Sequence, residues 1–243
     1  MCVRSSGAFF PVLGKPPMQI LELFCGTKSI SKCYAQDPTT SIITVDLNPC
    51  FAPTHVCCVL EFDYKQYAHF DYIHASPPCT EYSSNQHAFY GRMRKVQGVS
   101  VPFNPEVHEQ EMQKSDKLVL RVLQIIEYFK PACWTIENPR SLSPNTLLHR
   151  PVVRGLPYQL CSYCMYGHAL KKNTVFWNNF KLQLKQCTHY NQKHMAWADW
   201  ARKPTGMPRL HMRYVIPHLL CQEIRKQVLQ NMPVTPVTPL PGV

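Results

Sequence analysis

No stretch of this 243-residue chain approaches the roughly 18 consecutive apolar residues that a membrane-spanning helix needs, so no membrane association is expected. No segment repeats at a fixed period, which argues against a solenoid or propeller. The three-glycine fingerprint of a dinucleotide site is also missing, and NAD is disfavoured as a ligand. There are twelve cysteines, but they lack the regular framework of a secreted disulfide scaffold, and no secretion signal precedes them. The short apolar patch at 8–13 is interrupted by Pro11 and preceded only by Arg4. Reduced thiols and an intracellular location are therefore expected. Acidic residues are scarce as well: 15 Asp and Glu face 26 Lys and Arg, a net charge of +11. Such an excess predicts an anionic partner, nucleic acid being the commonest, although a merely basic protein would carry the same charge.

With 45% hydrophobic and 17% charged residues, the chain has the means to bury one α/β core with a small appendage. β-branched and apolar runs predict strands over 19–24, 41–45, 56–60, 71–75 and 133–137, with a further pair at 158–163 and 175–177. Helical patterns fall at 27–35, at 109–129 and, opened by Pro217, at 217–230. Residues 84–108, with Gly91, Gly98, Pro102 and Pro105, read as a long mobile loop. Residues 1–17 read as a disordered leader, and the proline-rich 232–243 as a disordered tail. Alternating strands and helices predict a mostly parallel sheet covered on both faces, with ligands beyond the carboxyl ends of the strands.

Three segments at such strand ends carry chemistry. In Glu22-Leu23-Phe24-Cys25-Gly26-Thr27, a glycine directly after a strand permits a tight turn and close ligand approach, and Asp46 ends the next strand where an acid would grip ribose hydroxyls. A bland turn would explain that segment nearly as well. In Ser76-Pro77-Pro78-Cys79, two prolines fix the chain and hold one cysteine at the sheet edge. A lone cysteine is more often inert and buried; this placement favours a nucleophile. In Glu137-Asn138-Pro139, a carboxylate closes an apolar strand, where burial would favour its proton-donating form.

In this order the segments, with Val45-Asp46-Leu47-Asn48-Pro49, resemble the DNA (cytosine-5)-methyltransferase family, nearest its small phage and large-DNA-virus members, over residues 18–179. The resemblance implies a Rossmann-like S-adenosylmethionine-dependent methyltransferase fold with a minimal recognition insert, and double-stranded DNA as partner. It assigns Cys79 as the nucleophile, Glu137 to the cytosine ring nitrogen, Phe24 and Gly26 to the cofactor pocket, Asp46 to the ribose and Asp63 to the adenine. Many members carry glutamine and two arginines near Lys171 and Lys172; here Lys172 is taken as the third catalytic residue, with Lys171 close behind. Lys28 stands where many members have a second glycine.

Cys161, Cys164, Cys187, His189 and His194 have the ligand types of a zinc site. The first pair falls in a predicted strand and the rest lack finger spacing, so buried cysteines and surface histidines are expected and no metal. The expected organisation is a catalytic domain at 18–179, a basic, aromatic recognition segment at 180–214 and a C-terminal helix at 215–231 packed on the catalytic domain. Lys181, Lys185, Lys193, Arg202, Lys203, Arg209 and Arg213, with Trp197, Trp200 and Tyr214, would track a phosphate backbone, although a solvated face with inward tryptophans fits equally. Its brevity predicts a short recognition sequence, at the limit CpG. A monomer is expected, in the nucleus or cytoplasm of a host cell if viral. Two rivals stand beside this reading: an RNA cytosine methyltransferase, disfavoured because the Cys-Phe-Thr tripeptide of the tRNA-directed branch is absent, and a catalytically silent regulator, disfavoured by intact Cys79 and Glu137.

Overall fold

The computed structural model describes residues 17–140, 144–189, 194–195 and 214–233. The leader 1–16, the tail 234–243 and most basic and aromatic residues of the expected recognition segment, including Arg202, Lys203, Trp197 and Trp200, lie outside the described residues. Strand β1 (Met18–Leu23) leads into the short helix α1 (Ser29–Tyr34), followed by β2 (Thr40–Asp46), β3 (His55–Val56) and β4 (Tyr72–Ala75). A two-stranded hairpin, β5 (Met93–Val96) and β6 (Val99–Pro102), precedes the long helix α2 (Pro105–Phe129) and strand β7 (Cys133–Pro139). Strands β8 (Tyr158–Ser162) and β9 (Asn173–Asn178) then form an antiparallel pair, and helix α3 (His218–Asn231) follows.

One seven-stranded sheet has the order β3-β2-β1-β4-β7-β9-β8. Its first five strands are mutually parallel, and β9 runs against both β7 and β8. The chain steps from β1 outward to β2 and β3, then returns to lay β4 on the other flank of β1. That reversal opens a crevice beyond the carboxyl ends of β1 and β4, where open α/β sheets bind ligands.

Alternation along β1 shows how both faces become covered. Leu21 and Leu23 join the core packed under α2 with Val119, Val122 and Ile125, while Ile20 points to the opposite core with Ile30 of α1 and Leu220, Ile224 and Val228 of α3. Burial of apolar surface from water on both sides is what sets the strand register.

Helix α2 begins four residues earlier than its apolar periodicity suggests. Asn104 caps it by accepting a 2.8 Å hydrogen bond from the Val107 N–H, and Pro105 occupies the first turn. The expected loop at 84–108 is likewise organised. A 3-10 segment (Ser84–Phe89) leads to the hairpin, whose turn is Gln97-Gly98, both with positive φ, at 50° and 84°. That geometry suits the right-handed twist of two paired strands. Arg94 pairs with Glu81 at 2.5 Å, and the buried His108 bridges the Tyr90 hydroxyl and the Glu81 carbonyl, each at 2.8 Å. The strand expected at 56–60 shrinks to His55–Val56, because the chain turns at once, with Glu61 N–H donating to the Cys58 carbonyl. No helix among the described residues is long and apolar enough to cross a membrane.

Candidate active site

Four strand ends, those of β1, β2, β4 and β7, converge on the crevice. After β1 the backbone takes left-handed conformations at Phe24 (φ 54°), Gly26 (φ 46°) and Lys28 (φ 58°). Glycine adopts this region freely, whereas other residues incur strain of about 1–2 kcal/mol. Lys28 thus keeps the backbone shape that a glycine would supply, and its ammonium donates to the Ala52 carbonyl. Asp46, at the end of β2, accepts from the Gly26 N–H at 2.9 Å and from the Asn48 N–H at 2.8 Å, tying the two loops together. A Cβ at Gly26 would lie 3.3 Å from the Cβ of Tyr214, tighter than a comfortable contact.

Glu22 is buried beneath this turn. Its carboxylate accepts from the Ile30 and Ser31 N–H groups at the start of α1 and from the Ser31 hydroxyl, meeting donors that a helix start leaves open. Burial pushes its pKa up from 4.5 to about 7, against the lowering effect of those hydrogen bonds. The folded chain therefore holds a proton that the unfolded carboxyl releases near 4.5. Stabilisation from the protonated form is complete below that pH and is lost as the pH rises to about 7. The loss amounts to at most about 3 kcal/mol. His74 works in the opposite sense: burial lowers its pKa to about 3, so its contribution is complete above 6.5 and lost as the pH falls. Denaturant melts across this range should show Glu22→Gln lacking a stability loss on the alkaline side that the parent retains. Parallel curves for parent and variant would mean that Glu22 titrates in the folded chain as it does in the unfolded one.

After β4, the loop Ser76-Pro77-Pro78-Cys79 is fastened from two sides. The Asn138 side chain donates to the Pro77 carbonyl at 3.0 Å. His74, which bonds Thr135 at 2.8 Å through Nδ1, reaches Ser76 Oγ at 3.0 Å through Nε2. Both fasteners use β7, the hydrogen-bonded neighbour of β4. Glu137, the last acidic residue of that strand, is buried; the Tyr163 hydroxyl donates to its Oε1 at 3.0 Å, and the Lys172 ammonium stands 4.0 Å from the same oxygen. Lys172 also lies over the Tyr163 ring, 4.6 Å from its centroid.

Cys79, Glu137 and Lys172 line one small cavity together with Phe24, Gly26 and Tyr214. A wider adjoining cleft of about 230 Å³ shares Phe24, Gly26 and Cys79 and adds Asp46, Val59 and Leu118. Lys171, by contrast, is exposed and faces a separate depression beside Arg140 and Cys187. Asp63 is not brought to either cavity. The flanking Phe62 and Tyr64 side chains are buried in the core, so the intervening Asp63 is turned to solvent, and Cys57, Cys58 and Val59 line the cleft instead. Tyr163 has no assigned role in the sequence reading, and Tyr214, expected in the recognition segment, instead lines both cavities beside Gly26. Tyr163 shares its turn with Tyr166, and Tyr214 reaches Gly26 from far along the chain, so only the fold reveals either contact.

No family model matches the chain. A Frog virus 3 (isolate Goorha) protein named "Probable DNA (cytosine-5)-methyltransferase" is 30% identical over 168 residues, covering 68% of this chain and 72% of its own length. This chain belongs to the DNA (cytosine-5)-methyltransferase family. Two solved structures are more distant neighbours of this cytosine-5-methyltransferase family member. One is the Entamoeba histolytica methyltransferase EhMeth, at 17% identity, TM-score 0.48 and 72% coverage of this chain. The other is an Escherichia coli prophage protein described as a DNA modification methyltransferase, at 14% identity, TM-score 0.41 and 66% coverage. The chain spans 58% and 46% of those two proteins, respectively. The α/β methyltransferase architecture of this family member is carried by its own strand order, with β9 reversed at one flank.

Proposed function

We propose that the chain transfers a methyl group from S-adenosylmethionine to carbon 5 of a cytosine in duplex DNA, with Cys79 as nucleophile. The observation that carries this reading is the single cavity uniting Cys79, Glu137 and Lys172 beside the cleft that holds Asp46. The cleft has a donor set suited to the cofactor: an Asp46 carboxylate for ribose hydroxyls, apolar walls from Phe24, Val59 and Leu118, and a glycine where a side chain would crowd Tyr214. When bound there, S-adenosylmethionine supplies an electrophilic methyl group on sulfur. With Asp63 turned to solvent, the adenine is assigned to the wall formed by Cys58 and Val59.

Cys79, as thiolate, adds to carbon 6 of the base while Glu137 gives a proton to ring nitrogen 3. Oε1 of Glu137 already accepts from Tyr163, which leaves Oε2 for the ring nitrogen. Addition places electron density on carbon 5, which takes the methyl group. Loss of the carbon 5 proton then expels Cys79, and nitrogen 3 returns its proton. Covalent attachment splits one hard step into easier ones. A base stacked in a duplex cannot enter so small a cavity, so the cytosine is flipped out. Residues 18–179 form the catalytic unit, 180–214 the short recognition segment and 215–231 the closing helix.

The test is transfer of labelled methyl groups from S-adenosylmethionine to a mixed-sequence duplex, with bisulfite sequencing of the product. Methylated cytosine in a short recurring sequence is expected. Methylation of tRNA alone would replace DNA by RNA as substrate, and no transfer by a folded, cofactor-binding chain would make it a silent regulator.

A further inference from the structure

At the turn that carries Tyr163, four side chains with metal-binding atoms meet. Cys164 lies in the 3-10 turn (Tyr163–Tyr166) that follows β8, whereas Cys187, His189 and His194 arrive from a distant segment. Their ligand atoms all lie within 4.8 Å of one another, and all four residues are half-buried. The Cys187 thiol is 3.6 Å from Nδ1 of His189 and 3.4 Å from Nε2 of His194. A zinc tetrahedron with arms of about 2.3 Å to sulfur and 2.05 Å to nitrogen has sulfur-to-nitrogen edges of about 3.6 Å. The two edges from Cys187 thus already match those of such a tetrahedron.

We propose that Cys164, Cys187, His189 and His194 form a structural zinc site. Two thiolates and two imidazoles make a closed four-ligand set of the kind zinc takes when it braces a fold, with no position left for water or substrate. Cys161, whose spacing to Cys164 suggests a ligand pair, is buried within the strand and is not part of the cluster. Its place is taken by Cys187, so the sequence spacing misleads.

The backbone around the cluster is arranged to hold it. The Cys187 N–H donates to the Ser162 hydroxyl at 3.0 Å, and the Ser162 N–H donates to the Lys185 carbonyl at 3.0 Å. The Met195 N–H reaches the Ala169 carbonyl at 3.3 Å. Zinc would therefore pin Cys187, His189 and His194 onto the turn that carries Tyr163 and onto the stretch leading to Lys172. The proposal stands on the cluster alone and is independent of the methyl-transfer reading.

The full chain, produced in zinc-supplemented medium and passed under reducing conditions through gel filtration, should carry about one zinc per chain by elemental mass spectrometry. Cys187→Ser and His194→Ala should each lower that content by about tenfold or more, and Cys161→Ser should leave it unchanged. Cobalt loading of the unaltered chain avoids any question of variant folding: intense visible absorption of tetrahedral cobalt, with a thiolate charge-transfer band, is expected. Trace zinc only, zinc indifferent to Cys187→Ser, weak octahedral-type cobalt absorption, or a Cys164–Cys187 disulfide in the freshly isolated chain would each overturn the site.

Discussion

Cys79→Ala should lower methyl transfer by on the order of 10⁴-fold or more while the folded chain still binds cofactor and DNA. Without attack at carbon 6, carbon 5 of cytosine is too poor a nucleophile to take a methyl group, and no neighbouring side chain in the cavity offers a comparable substitute. Cys25 is buried, and burial, reinforced by the nearby Glu22 and Asp46 carboxylates, pushes its pKa up to about 12, so it is held as the unreactive thiol. A duplex containing 5-fluorocytosine gives a direct readout. Fluorine cannot leave as a proton does, so the parent should be trapped in a covalent complex that survives denaturant. Cys79→Ala and Cys79→Ser should form none. Trapping that persists in Cys79→Ser would place the nucleophile elsewhere.

Glu137→Gln is expected to slow single-turnover methyl transfer by about 10²-fold or more, the usual scale for loss of a positioned general acid. The amide preserves volume and can still meet the Tyr163 hydroxyl, so stability should change little and the loss should fall on the chemical step. Lys172→Ala should also impair transfer, because its ammonium faces Glu137 across 4.0 Å, whereas Lys171→Ala should spare the chemical step. A Glu137→Gln chain that turned over at the parent rate would remove the carboxyl from the mechanism. Equal losses in the two lysine variants would mean that they act through DNA phosphate rather than at the base.

Much of this architecture was legible because single elements announce themselves. The strand ending in Leu23, the prolines after Ala75 and the apolar run closing on Glu137 each combine a periodicity with a terminator, and their ends fall together at the switch between β1 and β4. The 84–108 segment was misread because its hairpin carries few large apolar residues, while its Gln97-Gly98 turn lacks the usual asparagine or aspartate. Asp63 lines neither cavity for a different reason. The resemblance gives that position to the adenine, yet the demand to bury Phe62 and Tyr64 decides which way it faces. His189 and His194 read as surface residues in the sequence because Cys187, His189 and His194 lack finger spacing, whereas the fold lays residues 185–187 against Ser162 and so beside Cys164.

The cross-tie from Asn138 to Pro77 has a consequence for how such a protein can change over time. The loop bearing Cys79 and the strand end bearing Glu137 belong to hydrogen-bonded neighbours, a spacing fixed by main-chain pairing at about 4.8 Å between strands. Cys79 lies four residues past the end of β4, in the loop that this tie fastens. Changes in the loops after β1 and β2 leave that pairing untouched. The positions whose change should move Cys79 relative to Glu137 are therefore few: the paired residues of β4 and β7, the Pro77-Pro78 loop and Asn138.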